Sequence, residues 1–157
     1  MTAPGPLEIA VRHAGSEGEP VIAAVHDYWR QLAGGGLPAR KSFDFMAVYR
    51  EAPHLLMAER VDRATFKFIY CGTTVAEHFP VDLSGKQFGP ETPRVSKIPW
   101  PILFNSVLDG TCIRFGAQAI DWPGPKFSLI HFGLFPLAGV DGSARYALAS
   151  LVFVGRR

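Results

Sequence analysis

The sequence predicts an α/β domain of the α+β kind: a five-stranded antiparallel sheet with short helices covering one face and an N-terminal amphipathic helix. Three stretches carry that expectation. Phe66, Phe68 and Tyr70 alternate with Lys67, Ile69 and Cys71, the two-residue period of a strand with a buried face. Val21, Ile22, Val25, Tyr28, Trp29 and Leu32 recur at helical spacing and form one apolar stripe. From Thr111 to Val154, three strand-like runs are joined by Pro123-Gly124-Pro125 and by Asp141-Gly142, turns short enough for an antiparallel meander.

Bulk composition bounds the reading. A chain of 157 residues is long enough for one domain with a buried core. Hydrophobic residues make up 48% against 19% charged, so the chain belongs with globular rather than disordered sequences. Sixteen basic against fourteen acidic side chains are too evenly matched to argue for nucleic acid, and no run of Lys or Arg forms a phosphate-tracking stripe. No apolar run approaches a bilayer-spanning length. Met1 to Pro6 lacks both the basic start and the apolar centre of a signal peptide. No membrane association and a cytoplasmic location are therefore expected. Cys71 and Cys112 sit in apolar strand-like contexts and read as reduced, buried thiols; without a C-x-x-C motif neither zinc nor thioredoxin-like chemistry is indicated.

In order, residues 1 to 18 are a lead-in in which Leu7, Ile9 and Val11 alternate as a possible edge strand, and residues 19 to 157 form the single domain. Pro20 suits the first turn of a helix, where its missing N–H costs nothing, and Gly34-Gly35-Gly36 stops that helix. A helical turn through Met46 to Tyr49 ends near Pro53. Leu55 to Val61 is the first core strand, turned back by Asp62-Arg63-Ala64-Thr65 into Phe66 to Cys71 as a hairpin. Gly72 ends that run, and Thr74-Val75-Ala76-Glu77 fits a capping box. A loop then folds back over the sheet to a second glycine turn at Gly85. Prolines 90, 93, 99 and 101 break any long element until Ile102 to Leu108, a helix ended by Asp109-Gly110.

Two strands, intervening helices and three closing strands resemble a PAS fold. More narrowly, the chain resembles a family of short PAS-like proteins, PAS_5, found mostly in alphaproteobacteria. The resemblance rests on Tyr28-Trp29, Gly34 to Gly36, Pro38-Ala39-Arg40, Asp44, Gly72-Thr73, Leu83-Ser84-Gly85, Pro136-Leu137 and Asp141-Gly142, and covers roughly residues 24 to 154. Two positions depart from it: Ile69 stands where the family has arginine, and Pro80 where it favours glycine. Losing a cation from the strand argues against an anionic ligand and for an apolar one. The resemblance implies sensing or protein interaction rather than a known reaction.

Aromatic side chains with a few polar handles suit a small planar or apolar ligand. Tyr70, Trp100, Phe104, Phe115 and His131 are the candidate lining, chosen from strand alternation and closeness to the helical cover. The bland reading of His131 is a buried imidazole bonded to a neighbour. His26, His54, His78 and His131 share no metal-pair spacing, and His78 lies where a haem-binding PAS domain would place an axial ligand, but haem is not expected. Scattered Asp and Glu residues read as turn formers, Asp121 coming nearest to an acid in an apolar setting. The helical stripe of Val21, Val25, Tyr28, Trp29 and Leu32 either packs on its own sheet or forms a dimer or partner contact.

The expected function is a sensory or signalling module that binds a small molecule or a protein partner and signals through dimer or partner contacts, without catalysis. One rival is a ketosteroid-isomerase-like enzyme, with Asp121 or Asp44 as base and Tyr70 as oxyanion donor. The other is a ligand-free adaptor whose interior is filled by its own side chains.

Overall fold

A computed structural model describes residues 16–78, 85, 87–88, 100–119 and 127–155. The possible strand at Leu7 to Val11, the departure at Pro80 and the candidate acid Asp121 lie outside them. After a 3-10 turn at Ser16–Gly18, helix α1 runs Pro20–Ala33. Pro20 opens it as expected, the Glu19 carbonyl accepts the Ala23 N–H at 2.8 Å, and Gly34 closes it in the left-handed region at φ 54°. Three 3-10 turns, Arg40–Ser42, Phe45–Val48 and Ala52–His54, carry the chain to strand β1. Asp44 caps the second by accepting the Met46 N–H.

Strands β1 (Leu55–Asp62) and β2 (Thr65–Cys71) form the predicted hairpin, with Asp62 accepting the Ala64 N–H in its turn. Short helix α2 (Thr73–His78) follows. Its cap is Gly72 rather than the Thr74 of the expected capping box: the Gly72 carbonyl accepts the Ala76 N–H, so Thr74 lies inside the helix. Gly72 has no room for a side chain, since a Cβ there would stand 2.3 Å from the Pro53 carbonyl oxygen and 2.4 Å from that of Ala52. At Gly85 the chain is back on β2, donating to the Phe68 carbonyl, and strand β3 (Gln87–Phe88) pairs with it.

Helix α3 (Trp100–Gly110) ends in a Schellman motif: Thr111 N–H to Leu108 O at 3.4 Å and Cys112 N–H to Val107 O at 3.1 Å. The left-handed position falls on Thr111, at φ 47°, where a β-branched residue is strained. Strands β4 (Arg114–Ala119), β5 (Phe127–Ala138) and β6 (Ala144–Gly155) make the closing meander. The sheet order is β3-β2-β1-β6-β5-β4, antiparallel throughout. Setting aside the two-residue β3, this is the predicted five-stranded PAS-like α+β fold.

Both sheet faces are covered. On one, α2 and α3 pack over Leu56, Ala58, Phe66, Phe68, Ile130, Phe132, Leu134 and Ala149. On the other, α1 and the segment from Phe43 to Val48 pack over Leu55, Met57, Phe135, Leu137 and Leu148. Burying one such side chain is worth about 1.5–3 kcal/mol, so the helices are held mainly by these faces.

Two substitutions test the backbone reading. Gly72→Ala drives a Cβ into two carbonyls and is expected to cost at least about 2 kcal/mol in urea unfolding; an unchanged midpoint would reject the close approach. Thr111→Gly removes left-handed strain of about 1–2 kcal/mol against the entropy gained by the unfolded chain, for a net gain of about 0.5–1 kcal/mol by the same measurement.

Candidate functional site

The five residues predicted to line one pocket divide between the two faces. Trp100 and Phe104 belong to α3 and are 8% and 0% exposed, with ring centroids 5.6 Å apart. Phe104 meets Phe66 edge-on at 5.4 Å. The Phe132 ring lies across bare Gly116, where a Cβ would stand 2.6 Å from it. On the same face, His78 stacks on Phe153 at 4.1 Å, and its Nδ1 lies 2.6 Å from the Thr74 carbonyl. A carbonyl only accepts, so Nδ1 carries the proton.

The rim of this face is tied by charge. Arg63 grips Asp109 through both carboxylate oxygens, at 2.6 and 3.0 Å, while Arg60 reaches Asp109 at 2.7 Å and Asn105 at 3.0 Å. Asn105 donates to the Arg63 carbonyl at 2.7 Å, clipping the β1–β2 turn to α3. The Arg63 and Arg60 hydrogen bonds hold the Asp109 carboxyl below its usual range.

Tyr70, Phe115 and His131 belong to the opposite face. Alternation from Phe66 and Phe68 would keep Tyr70 beneath the helices, but β2 is bulged. Met57 pairs with Tyr70 while the next residue, Ala58, pairs with Phe68, so Ile69 is the extra residue and Tyr70 is turned over. Tyr70 stacks on Phe45 at 4.1 Å and donates to the Ala52 carbonyl at 3.0 Å. Burial pushes its phenol above the usual range. Contacts continue from Phe45 to Phe43 and from Phe43 to Tyr28, making an aromatic row across this face.

His131 is the bonded, buried imidazole of the bland reading. Its Nδ1 lies 2.8 Å from the hydroxyl of fully buried Ser16, which donates its one hydrogen to the Gly116 carbonyl at 2.7 Å. Ser16 therefore accepts from His131, and Nδ1 carries the proton. Phe115 contacts His26 of α1 at 5.2 Å, and His26 also faces Phe135 at 5.8 Å. Burial first, then Arg30, lowers the His26 pKa, while Asp27 opposes the change.

The α1 stripe packs at home. Ile22 and Val25 are fully buried, and Tyr28, Trp29 and Leu32 pack against the cluster on this face. Trp29 donates from Nε1 to the Pro136 carbonyl at 2.9 Å, and Tyr28 accepts the Asp44 N–H at 3.1 Å. Val21 is half-buried. Residues offered as a dimer contact are thus occupied by the chain's own sheet, because that sheet presents a second apolar face. Sequence reasoning missed Ser16, which sits in the lead-in without a motif, and Gly133, which lets Ile22 approach the strand so closely that a Cβ would stand 2.8 Å from its Cγ2.

A shallow surface cleft of about 570 Å³ lies where α1 ends, lined by Trp29, Arg30, Ala33, Gly35, Gly36, Leu37 and Thr111. It holds none of the predicted ligand residues. Among the described residues no cluster of His, Cys, Asp and Glu suits a metal ion, and no helix is long and apolar enough to cross a membrane. The enzyme rival fares poorly where it can be seen: Asp44 is an exposed cap and the Tyr70 hydroxyl is spent on Ala52.

No family model matches the sequence, and no curated protein does. Among solved structures, the chain is similar to the PAS domain of Bordetella pertussis BvgS, at 12% identity and a TM-score of 0.43, over 72% of this chain and 85% of that one. It is also similar to an IcIR transcriptional regulator from Alicyclobacillus acidocaldarius, at 11% identity and a TM-score of 0.36, over 96% of this chain and 64% of that one. Likenesses this distant say nothing of function; the strand order carries the fold.

Two titrations follow. His26 is held neutral, so its contribution to stability is present above 6.5 and is lost as pH falls through the lowered folded value. Urea midpoints should drop between about pH 7.5 and 5.5, and His26→Phe, which keeps a ring there, should shrink that drop; an equal drop in both proteins rejects the assignment. Asp109 behaves likewise at lower pH: its contribution is present above 3.8 and is lost as pH falls through its depressed folded value. Asp109→Asn should cost about 1 kcal/mol at neutral pH, the modest worth of partly exposed ion pairs.

Proposed function

We propose that the chain is a PAS-like sensory or signalling module in which a small apolar ligand or a protein partner acts on the sheet and the output passes through α1 to dimer or partner contacts. One observation carries this reading. Successive residues of β5 touch opposite covers: Ile130, Phe132 and Leu134 pack beneath α3, while His131, Gly133 and Phe135 meet Ser16, Ile22 and the rings of α1. A strand shifted by what lies under α3 must also shift the seat of α1. In this reading Trp100 and Phe104 face the ligand, and Tyr70, Phe115 and His131 lie on the output side. The shift cannot exceed the ligand's differential affinity for the two arrangements.

Native mass spectra, compared with the denatured mass, test the reading. The expected result is a non-covalent mass of roughly a few hundred daltons, weakened by Trp100→Ala, whose removal changes hydrogen exchange in α1. Exchange in α1 that ignores occupancy removes the coupling. A protein free of any bound mass yet dimeric moves the reading to a ligand-free adaptor.

A further inference from the structure

We propose that the cleft where α1 ends is a binding site for a small ring-bearing carboxylate, with Arg30 taking the carboxylate and Trp29 the ring. Two features of its lining are not required by the fold itself. Thr111 holds φ 47°, a left-handed position that suits glycine and strains a β-branched residue. Gly36 is the reverse case. Its φ is not positive, and a Cβ there would meet only the Ala33 carbonyl oxygen, at an ordinary 3.7 Å. Neither backbone nor packing asks for glycine at this position, yet a larger side chain would encroach on the cleft that Gly36 lines. A hydroxyl kept at the cost of strain and a side chain left out thus fall in one opening, and strain of this kind gathers where a chain binds something.

The walls suit such a ligand. A volume of about 570 Å³ lies within the span of small-molecule sites, roughly 300–1,000 Å³. The Trp29 indole is fixed by its bond to the Pro136 carbonyl at 2.9 Å, and Leu37 adds apolar surface, so a ring meets a preformed wall. Among the described lining residues Arg30 alone carries a formal charge. Asp27 accepts from one of its terminal nitrogens, and the side chain is 61% exposed, so the rest of the guanidinium is open to a second carboxylate. The carbonyls at the ends of α1 and α3, which frame the cleft, would by themselves favour a cation. They are partly answered within the chain: Arg30 and Ala33 accept the Gly34 and Gly36 N–H groups, and Val107 and Leu108 accept those of Cys112 and Thr111. The full charge of Arg30 then sets the sign. The Thr111 hydroxyl, exposed and without a hydrogen bond among the described residues, supplies a second polar handle.

Amide proton–nitrogen NMR spectra of the full chain test the site, recorded as benzoate, salicylate or indole-3-acetate is added. Benzamide and benzylamine serve as neutral and cationic controls. The expected result is saturable movement of the Gly35, Gly36 and Thr111 amides by at least one carboxylate at concentrations up to roughly 10 mM, with far less from either control. Arg30→Gln and Gly36→Leu, both at exposed positions, should each weaken binding about five-fold or more. Thr111→Gly should raise the urea midpoint while weakening binding several-fold, which a hydroxyl without a ligand would not do. No saturable movement with any of the three carboxylates overturns the site, and so does equal movement with either control. Binding left unchanged by all three substitutions overturns it too. The site is separate from the ligand position proposed beneath α3: Trp100→Ala should leave these movements as they are, and a failure here leaves that reading standing.

Discussion

The rest of the structure depends on one sheet having two apolar faces. Every residue from Ile130 to Ala138 is buried, and so is every residue from Ala147 to Leu151. Strands apolar on both sides cannot leave either face to water, so the chain must supply two covers. It supplies α2 and α3 for one face, and α1 with the Phe43 to Val48 segment for the other. The stripe on α1 is therefore half of a contact whose other half is Phe135, Leu137 and Leu148.

Where the covers sit is set by missing side chains as much as by present ones. Gly133 lets Ile22 of α1 press on β5, and Gly116 leaves space that the Phe132 ring fills. Gly72 lets the start of α2 press against the carbonyls of Ala52 and Pro53. Directional bonds then fix orientation. Trp29 to Pro136 and Ser16 to His131 hold α1, while Asp109 between two arginines holds α3. The partly exposed ion pairs add little energy, so their part is register rather than stability.

This division gives a functional reading its shape. Trp100 and Phe104 on one side and Tyr70, Phe115 and His131 on the other are separate sets joined through the strands. The buried polar side chains among the described residues, Ser16, His131 and Ser150, lie in the α1 seam, where His26 also contacts two phenyl rings, while the polar groups of the α3 side sit at its rim.

Local order was legible in the residues themselves. Pro20 and Gly34 bounded α1, Asp62 to Thr65 turned the first hairpin, and Asp141-Gly142 joined the last two strands, whereas α3 runs through Asp109-Gly110 and takes its left-handed cap at Thr111. Each depends on the conformational preference of a few adjacent residues, which travels with the sequence. The division of the aromatics did not travel that way. The bulge at Ile69 inverts Tyr70 only because β2 pairs out of step with β1, a relation between two strands that the periodicity of either one alone does not carry. Nor could Ser16 be linked to His131, 115 residues away, by any local pattern. Periodicity says that a side chain alternates between faces; only the assembled sheet, with a particular helix on each side, decides which face is which.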